Sequence, residues 1–442
     1  MTDTTLPFHL KGNYAPVAEE VSAHDLTVQG ALPTDLNGLY LRNGPNPMSG
    51  SSGHWFLGDG MVHGVKLEGG RASWYRNRWV QTKRLTEPDA DRVSAEGQFD
   101  RALSYANTHV IRHGGKILAL EEGSFPYELS TDLDTVGAHD FDGRLTTAMT
   151  AHPKRCAETG ELHFFGYGQL EPYLTYHRAD AEGRLIQSEE ITVGGPTMMH
   201  DFGLSRNHVL FMDLPVVFDL DAAMSGRMPF GWSDTYPARV GVMPRGGGDA
   251  DVQWFEVDPC YVFHPMNAYD DGNTVVFDVC RISELWRRDT DFGDGETTLH
   301  RWRFDLDRGT VDEQTLHDRP QDFPRVADDR VGQPYRYGYT AYTGSRAEAG
   351  LLRQHDLQAG TVTEHDFGIG RHPGEAVFVP GDGGGEGEGW VLGYVHDDRD
   401  DATDLVVLDA SAFAGPPIAT VRLPQRVPYG FHGSWFADGV DH

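Results

Sequence analysis

Four histidines stand too far apart for any local motif, yet each occupies a similar setting. They are His152 in TAHPKRCAETGELHFFGY, His200 in TMMHDFGLSRNHVLFMD, His264 in YVFHPMNAYDDGNTVVFDV and His432 in PYGFHGSWF. Each stands beside a strand-like run that reads as entering a core. A neutral imidazole offers one lone pair to a metal, and an all-nitrogen set without thiolate suits Fe, Zn, Cu or Ni rather than a cluster. Four such ligands leave the full 2+ charge of a divalent ion in place. Acids can then accept the second ring N–H of each ligand, which fixes its tautomer and direction. Three further residues share the setting: Thr108 in ANTHVI, Asp322 in QDFPRV and Glu375 in GEAVFV. The series 108, 152, 200, 264, 322, 375, 432 advances by 44, 48, 64, 58, 53 and 57 residues. Glu122, Asp322 and Glu375 are the candidate acids. His63, His109 and His163 also lie in strand-like segments and are read as structural.

Steps of this size call for a repeating element. One recurs: an alternating strand, an Asp/Gly-rich turn and a second alternating strand. It is clearest in LTYHRADAEGRLIQSEEITV (174–193), LHRWRFDLDRGTVDEQTL (299–316) and LLRQHDLQAGTVTEHDFG (351–368), with weaker copies starting near His63, Leu118, Val252 and Asp404. The seven copies lie about 57 residues apart, which fits four-stranded blades with inserted loops. The expected fold is all-β: one seven-bladed β-propeller over 1–442, with short helices (one near 220–228) and loops capping one face. Each hairpin is then the outer half of a blade, and the segment after it supplies an inner strand. Inner strands of different blades can bring distant imidazoles to one point. Two β-sandwiches, the other all-β option, predict no fixed repeat.

Composition narrows the partners. The 442 residues carry 37 Lys+Arg against 67 Asp+Glu, a net charge of −30, which opposes nucleic acid and anionic membranes and favours neutral small molecules. At 39% hydrophobic and 11% aromatic, the chain is too apolar for disorder. Cys156, Cys260 and Cys280 lack CxxC spacing, so a reduced cytoplasm is the expected compartment. Residues 1–20 show no signal-peptide pattern, and the longest apolar run, 209–218, is broken by Asp213 and Pro215, so no transmembrane segment is expected. There is no GxSxG elbow and no P-loop; the Gly-rich stretch 381–389 carries acids that would repel phosphate.

The motifs GNYAPV, LNGLYLRNGPNP, FLGDGMVHGV, ANTHVI, LALEEGSFPYEL, TAHP, MMHDF, FHPMNAYDDG and YGFHGSWF together resemble the carotenoid cleavage oxygenase family. That family includes bacterial apocarotenoid and lignostilbene dioxygenases and the vertebrate retinoid isomerase. The resemblance implies a seven-bladed propeller holding non-haem Fe(2+) on His152, His200, His264 and His432. It also implies carboxylates at Glu122, Glu375 and Asp322 behind the ligands, and the Thr108 methyl near a vacant iron position. The family has glutamate where Asp322 stands. A side chain one methylene shorter is expected to lengthen the bond to its histidine or to need a water, and so to weaken iron retention.

The implied chemistry is O2-dependent scission of an electron-rich C=C bond into two carbonyl products. A lipophilic polyene would reach the site through an apolar tunnel, with Tyr105, Phe125, Phe263, Phe431 and Trp435 as candidate walls. The stretch 221–232, with Met224, Met228, Phe230 and Trp232, is a candidate lipid-contacting mouth. Lignostilbene-type members carry lysine before the first of the three acids; here Glu121 stands there, which favours a carotenoid or apocarotenoid. Stilbenoids or phenylpropenes are the alternative substrates. A non-catalytic propeller acting as a binding module is the alternative of a different class.

Overall fold

The computed structural model describes residues 6–94, 97–225, 227–288, 295–344 and 349–439. Among them the strands form seven antiparallel sheets of four to six strands and one two-stranded ribbon, with helices of at most five residues. These are the blades of a seven-bladed β-propeller, as the repeat predicts. The chain divides into two compact units, 147–344 and 1–146 with 345–442.

The 147–344 unit holds three complete four-stranded sheets. Their strands, in order, are Lys154–Arg155, Leu162–Tyr167, Leu174–Ala179 and Leu185–Glu190; Gly203–Leu204, His208–Asp213, Arg239–Pro244 and Gln253–Glu256; and Tyr261–Asp271, Thr274–Ile282, Thr297–Asp305 and Thr310–His317. The hairpin Asp322–Arg325/Tyr337–Ala341 follows. In the first sheet the hairpin turns at Gly183 (φ +83°), and the exposed edge strand alternates in burial as LIQSEE predicts. Its inner neighbours bury Phe165, Leu174 and Tyr176 in one cluster with Phe202 and Phe211.

The 1–146/345–442 unit contains the sheet His109–His113, Lys116–Leu120, Tyr127–Leu129, Thr135–Ala138 and the hairpin Ala349–Asp356/Thr361–Ile369. A five-stranded sheet runs Ser22–His24, Arg71–Trp79, Gly60–Glu68, Gly38–Pro45, Gly433–Ala437. A six-stranded sheet is built around Gly389–Asp397, Ala402–Asp409 and Ala419–Arg422. Six of the seven expected hairpins coincide with observed strand pairs. The copy placed near Val252 does not: the hairpin there is Arg239–Pro244/Gln253–Glu256. The Asp-Pro turn at 258–259 is the passage from one sheet to the next, and alternation on both sides made it look like a hairpin turn. The short helix expected near 220–228 is Leu220–Met224, capped by Asp219, whose Oδ1 accepts from the Ala222 N–H at 2.9 Å.

The core also carries a pH-sensitive group. His177 is fully buried, its two ring nitrogens 2.8 Å from the hydroxyls of Thr147 and Ser188. Burial lowers its pKa to about 4. Between pH 6.5 and 4 the unfolded chain therefore binds the extra proton, and stability falls as pH falls through that window. The contribution is about 3 kcal/mol at most. In His177→Gln, the slope of unfolding free energy against pH over that interval is expected to flatten relative to wild type.

Candidate metal centre

The seven residues of the series share one structural address. Asp322 opens its strand and His264 lies in the first half of its own; the other five lie one to three residues before a short strand. In the seven sheets these are edge strands on the side away from the outer hairpin. This regularity is what the repeat spacing detects.

In the 147–344 unit, three of the four histidines come together. Ligand atoms of His152, His200 and His264 lie within 4.8 Å of one another. Ring centroids are 4.4 Å apart for His152 and His200, and 5.1 Å for His152 and His264. The Nε2 atoms of His200 and His264 are 3.3 Å apart.

A β-bulge aims His264. Between the pairs Val262↔Arg281 and Pro265↔Val279, two residues, Phe263 and His264, oppose the single Cys280. The His264 Nδ1 then lies 2.9 Å from Asp322 Oδ1. A carboxylate only accepts, so Nδ1 carries the proton and Nε2 presents its lone pair. The expected lengthening at Asp322 is not found; the contact is direct. The reason lies in the backbone. Between Asp322↔Ala341 and Arg325↔Tyr339 the strand has a second irregularity, with Phe323 at φ +53°. There the Phe323 N–H also donates to Asp322 Oδ1 (2.8 Å), and the Phe323 ring stacks on His264 at 5.3 Å and 28°. The distortion delivers the shorter acid to its histidine.

His152 has an acid that the sequence reading missed. Asp201 is buried, with Oδ2 3.5 Å from His152 Nδ1 and Oδ1 2.8 Å from Lys154 Nζ. The Phe202 N–H donates to Asp201 Oδ1 at 2.6 Å. Burial pushes the carboxyl up, and Lys154 works against that shift. The signal was available, since Asp201 directly follows His200 in MMHDF. Cys280 was also missed. Its thiol is fully buried, donates to Asp322, and is held well above the usual thiol range by burial and by that carboxylate.

In the other unit, His432 repeats the logic of His264. Its Nδ1 is 2.9 Å from Glu375 Oε1, while Glu375 Oε2 accepts from the Gly433 N–H at 2.9 Å. Its backbone is pinned: its N–H donates to Thr108 O (3.1 Å) and its carbonyl accepts from the Asn43 N–H (3.0 Å). Thr108 thus touches His432 through its backbone, while its hydroxyl donates to Asn107 Oδ1 at 3.0 Å. Glu122 belongs to the same unit. The Glu121 carboxylate accepts from the Gly123 N–H (2.9 Å) and the Ser104 hydroxyl (3.4 Å).

The donor set fits a divalent metal. Asp322 and Glu375 leave the Nε2 atoms of His264 and His432 as lone-pair donors, and two imidazole nitrogens at 3.3 Å repel unless a proton or a cation lies between them. The histidines set aside as structural are engaged elsewhere: His63 Nδ1 with Tyr75 OH at 2.9 Å, His163 Nδ1 with Tyr176 OH at 2.6 Å, and His109 Nε2 with Ser434 Oγ at 3.3 Å. Of the candidate tunnel aromatics, Phe263 meets His200 edge-on at 5.2 Å, whereas Trp435 packs against the hydrophobic core. Phe431 packs against Trp55 with the rings tilted by 50° and their centroids 4.6 Å apart. Arg84 lies over Tyr105 at 4.2 Å, and the Phe125 N–H donates to Arg101 O. The 221–232 patch is smaller than expected. Only Met224, at 81% exposed, stands free among its four large apolar residues; Met228, Phe230 and Trp232 are half-buried, and Gly226 lies outside the described residues. Phe230 and Trp232 are drawn in because they pair with Val216–Phe218 in the ribbon.

Residues 14–437 match the family model described as RPE65, retinal pigment epithelial membrane protein. The chain belongs to the carotenoid cleavage oxygenase family. It is 40% identical to the carotenoid cleavage oxygenase of Mycobacterium tuberculosis (strain H37Rv), over 97% of each protein. It is 34% identical to carotenoid 9,10(9',10')-cleavage dioxygenase 1 of Arabidopsis thaliana, over 98% of this chain and 90% of that one. Among solved structures, Pseudomonas brassicacearum lignostilbene dioxygenase superposes with a TM-score of 0.88 at 29% identity, covering 98% of this chain and 100% of that one. A variant of Synechocystis apocarotenoid oxygenase gives 0.86 at 27%, covering 96% and 98%. This family member is accordingly an oxygenase. No helix among its described residues is long and apolar enough to cross a membrane.

Proposed function

We propose that this oxygenase is a non-haem Fe(2+) dioxygenase that cleaves a C=C bond of a carotenoid or apocarotenoid with O2 to give two carbonyl products. The His264–Asp322 pair carries the reading, because it fixes a neutral imidazole with its lone pair beside His200 and His152. His432, fixed in the same way by Glu375, is proposed as the fourth ligand, with Glu122 as the third supporting acid and Thr108 beside the open position. Bound Fe(2+) would supply O2 activation. The protein's part is to hold four ligands neutral and directed, to exclude water with apolar residues such as Phe263 and Phe323, and to orient the alkene.

The carotenoid reading draws on relatives named for carotenoid cleavage at 34–40% identity. Glu121 agrees with it, since a carboxylate stands where lignostilbene-type members carry a lysine, and its oxygens accept from the Gly123 N–H and the Ser104 hydroxyl. The lignostilbene dioxygenase likeness keeps stilbenoid cleavage as the second reading. Incubating the iron-loaded enzyme in air with an apocarotenal and, separately, with resveratrol is expected to give aldehydes by mass from the first and none from the second. The reverse pattern would replace the carotenoid by a stilbenoid. Purified protein that neither binds iron nor turns over either compound would support the non-catalytic binding module. The proposed compartment is the cytoplasm, and the seven blades are proposed to work as one domain. The exposed Met224 and Leu220 are proposed as the contact with lipid that collects substrate. Replacing both by serine is expected to lower co-sedimentation with neutral phosphatidylcholine vesicles.

A further inference from the structure

The acid that holds His264 is itself held. Two irregular strands meet here. One bulge sets Phe263 and His264 opposite Cys280; the other sets Phe323 and Pro324 opposite Thr340. Asp322 Oδ1 takes two N–H donors, from His264 Nδ1 and Phe323 N. A carboxylate has about four acceptor sites, and this one is buried, so unfilled capacity is costly. The neighbouring strand fills one site with the Cys280 thiol, which is fully buried and bonded to Asp322. Cysteine suits the place because it is a small apolar body with a single weak donor. Cys156 and Cys260 are buried as well, but neither approaches one of the histidines through a carboxylate.

We propose that Cys280 is a positioning residue of the metal centre: its thiol occupies the space beside Asp322 and steers that short acid onto His264, so that Cys280 and Asp322 work as a pair. The proposal rests on the metal-centre reading above. It has two consequences. Removing the donor while keeping the volume loosens His264 without loosening the fold. Lengthening the acid by one methylene brings it against the sulfur, and removing the sulfur relieves that clash.

The test loads wild type, Cys280→Ser, Cys280→Val, Asp322→Glu and the double variant Asp322→Glu/Cys280→Ala with Fe(2+) under anaerobic conditions. It follows the transfer of metal to excess ferrozine and measures each unfolding midpoint in parallel. Supporting groups around a ligand typically alter metal affinity about 10- to 100-fold, and Cys280 acts one step further out. Cys280→Val is expected to release iron about five- to tenfold faster with its unfolding midpoint unchanged. Cys280→Ser, which keeps a donor, should stay within about twofold of wild type. Asp322→Glu should release faster than wild type, and the double variant more slowly than Asp322→Glu alone. Equal release from wild type and Cys280→Val, or a double variant no slower than Asp322→Glu, overturns the pairing while leaving the metal centre standing. Wild type that takes up no iron overturns both.

Discussion

Replacing His264 by alanine is expected to leave a folded protein that has lost its metal and its oxygenase activity. The imidazole is tied into four contacts: Asp322 behind it, His200 at 3.3 Å in front, His152 at its side and the stacked Phe323 ring. Its loss removes one donor of the set and releases the acid that orients it. Iron per chain, measured after dialysis, should fall below about one-tenth of the wild-type value, and turnover by at least about a thousandfold. The residue is 8% exposed, so alanine leaves a buried imidazole-shaped space, and added imidazole should restore part of the bound iron. Iron retained at the wild-type level would remove His264 from the ligand set.

The largest effect on stability is expected two residues before Cys280, at Asp278. This carboxylate is fully buried and receives both Arg301 Nε (2.7 Å) and Nη2 (2.8 Å), together with the Tyr335 hydroxyl at 2.6 Å. Arg301 is itself only 16% exposed in its side chain. Asp278→Ala strands a guanidinium and a phenol in the interior, and removing one partner of a buried pair costs about 3–5 kcal/mol. The urea midpoint should drop with little change in slope. Asp278→Asn, which keeps the shape and one acceptor, should lose less. An unchanged midpoint for the alanine variant would mean that Arg301 and Tyr335 find water instead.

The histidines could be read from the sequence because propeller blades impose a period on their edge strands, so residues 44–64 positions apart inherit one address. The carboxylates Glu375 and Asp322 could be read for the same reason. What the sequence did not disclose depends on register. Whether a strand carries a bulge is decided by pairing with its neighbour, so neither the Phe263–His264 bulge nor the φ +53° of Phe323 leaves a local pattern. The expected lengthening of the Asp322–His264 contact failed for that reason: it counted methylenes and assumed a regular strand. Cys280 sits in the apolar run VVFDVCRI, where a thiol gives no sign of the neighbour it will meet, whereas Asp201 was legible from its place directly after His200. The Val252 hairpin was misplaced because alternation marks strands without saying which consecutive strands share a sheet.

The strand Gly38–Pro45 is hydrogen-bonded to Gly433–Ala437, with Arg42 facing Gly433 beside His432. These partners are almost four hundred positions apart, so Gly38–Pro45 is translated long before Gly433–Ala437 and its flank stays uncovered until then. A ribosome stalled anywhere short of Ala437 therefore presents a nascent polypeptide with one raw sheet margin and without the His432 imidazole. Any site that uses His432 is then assembled only after this strand is made, and chains truncated before Gly433 should yield aggregates instead of a slightly shortened enzyme.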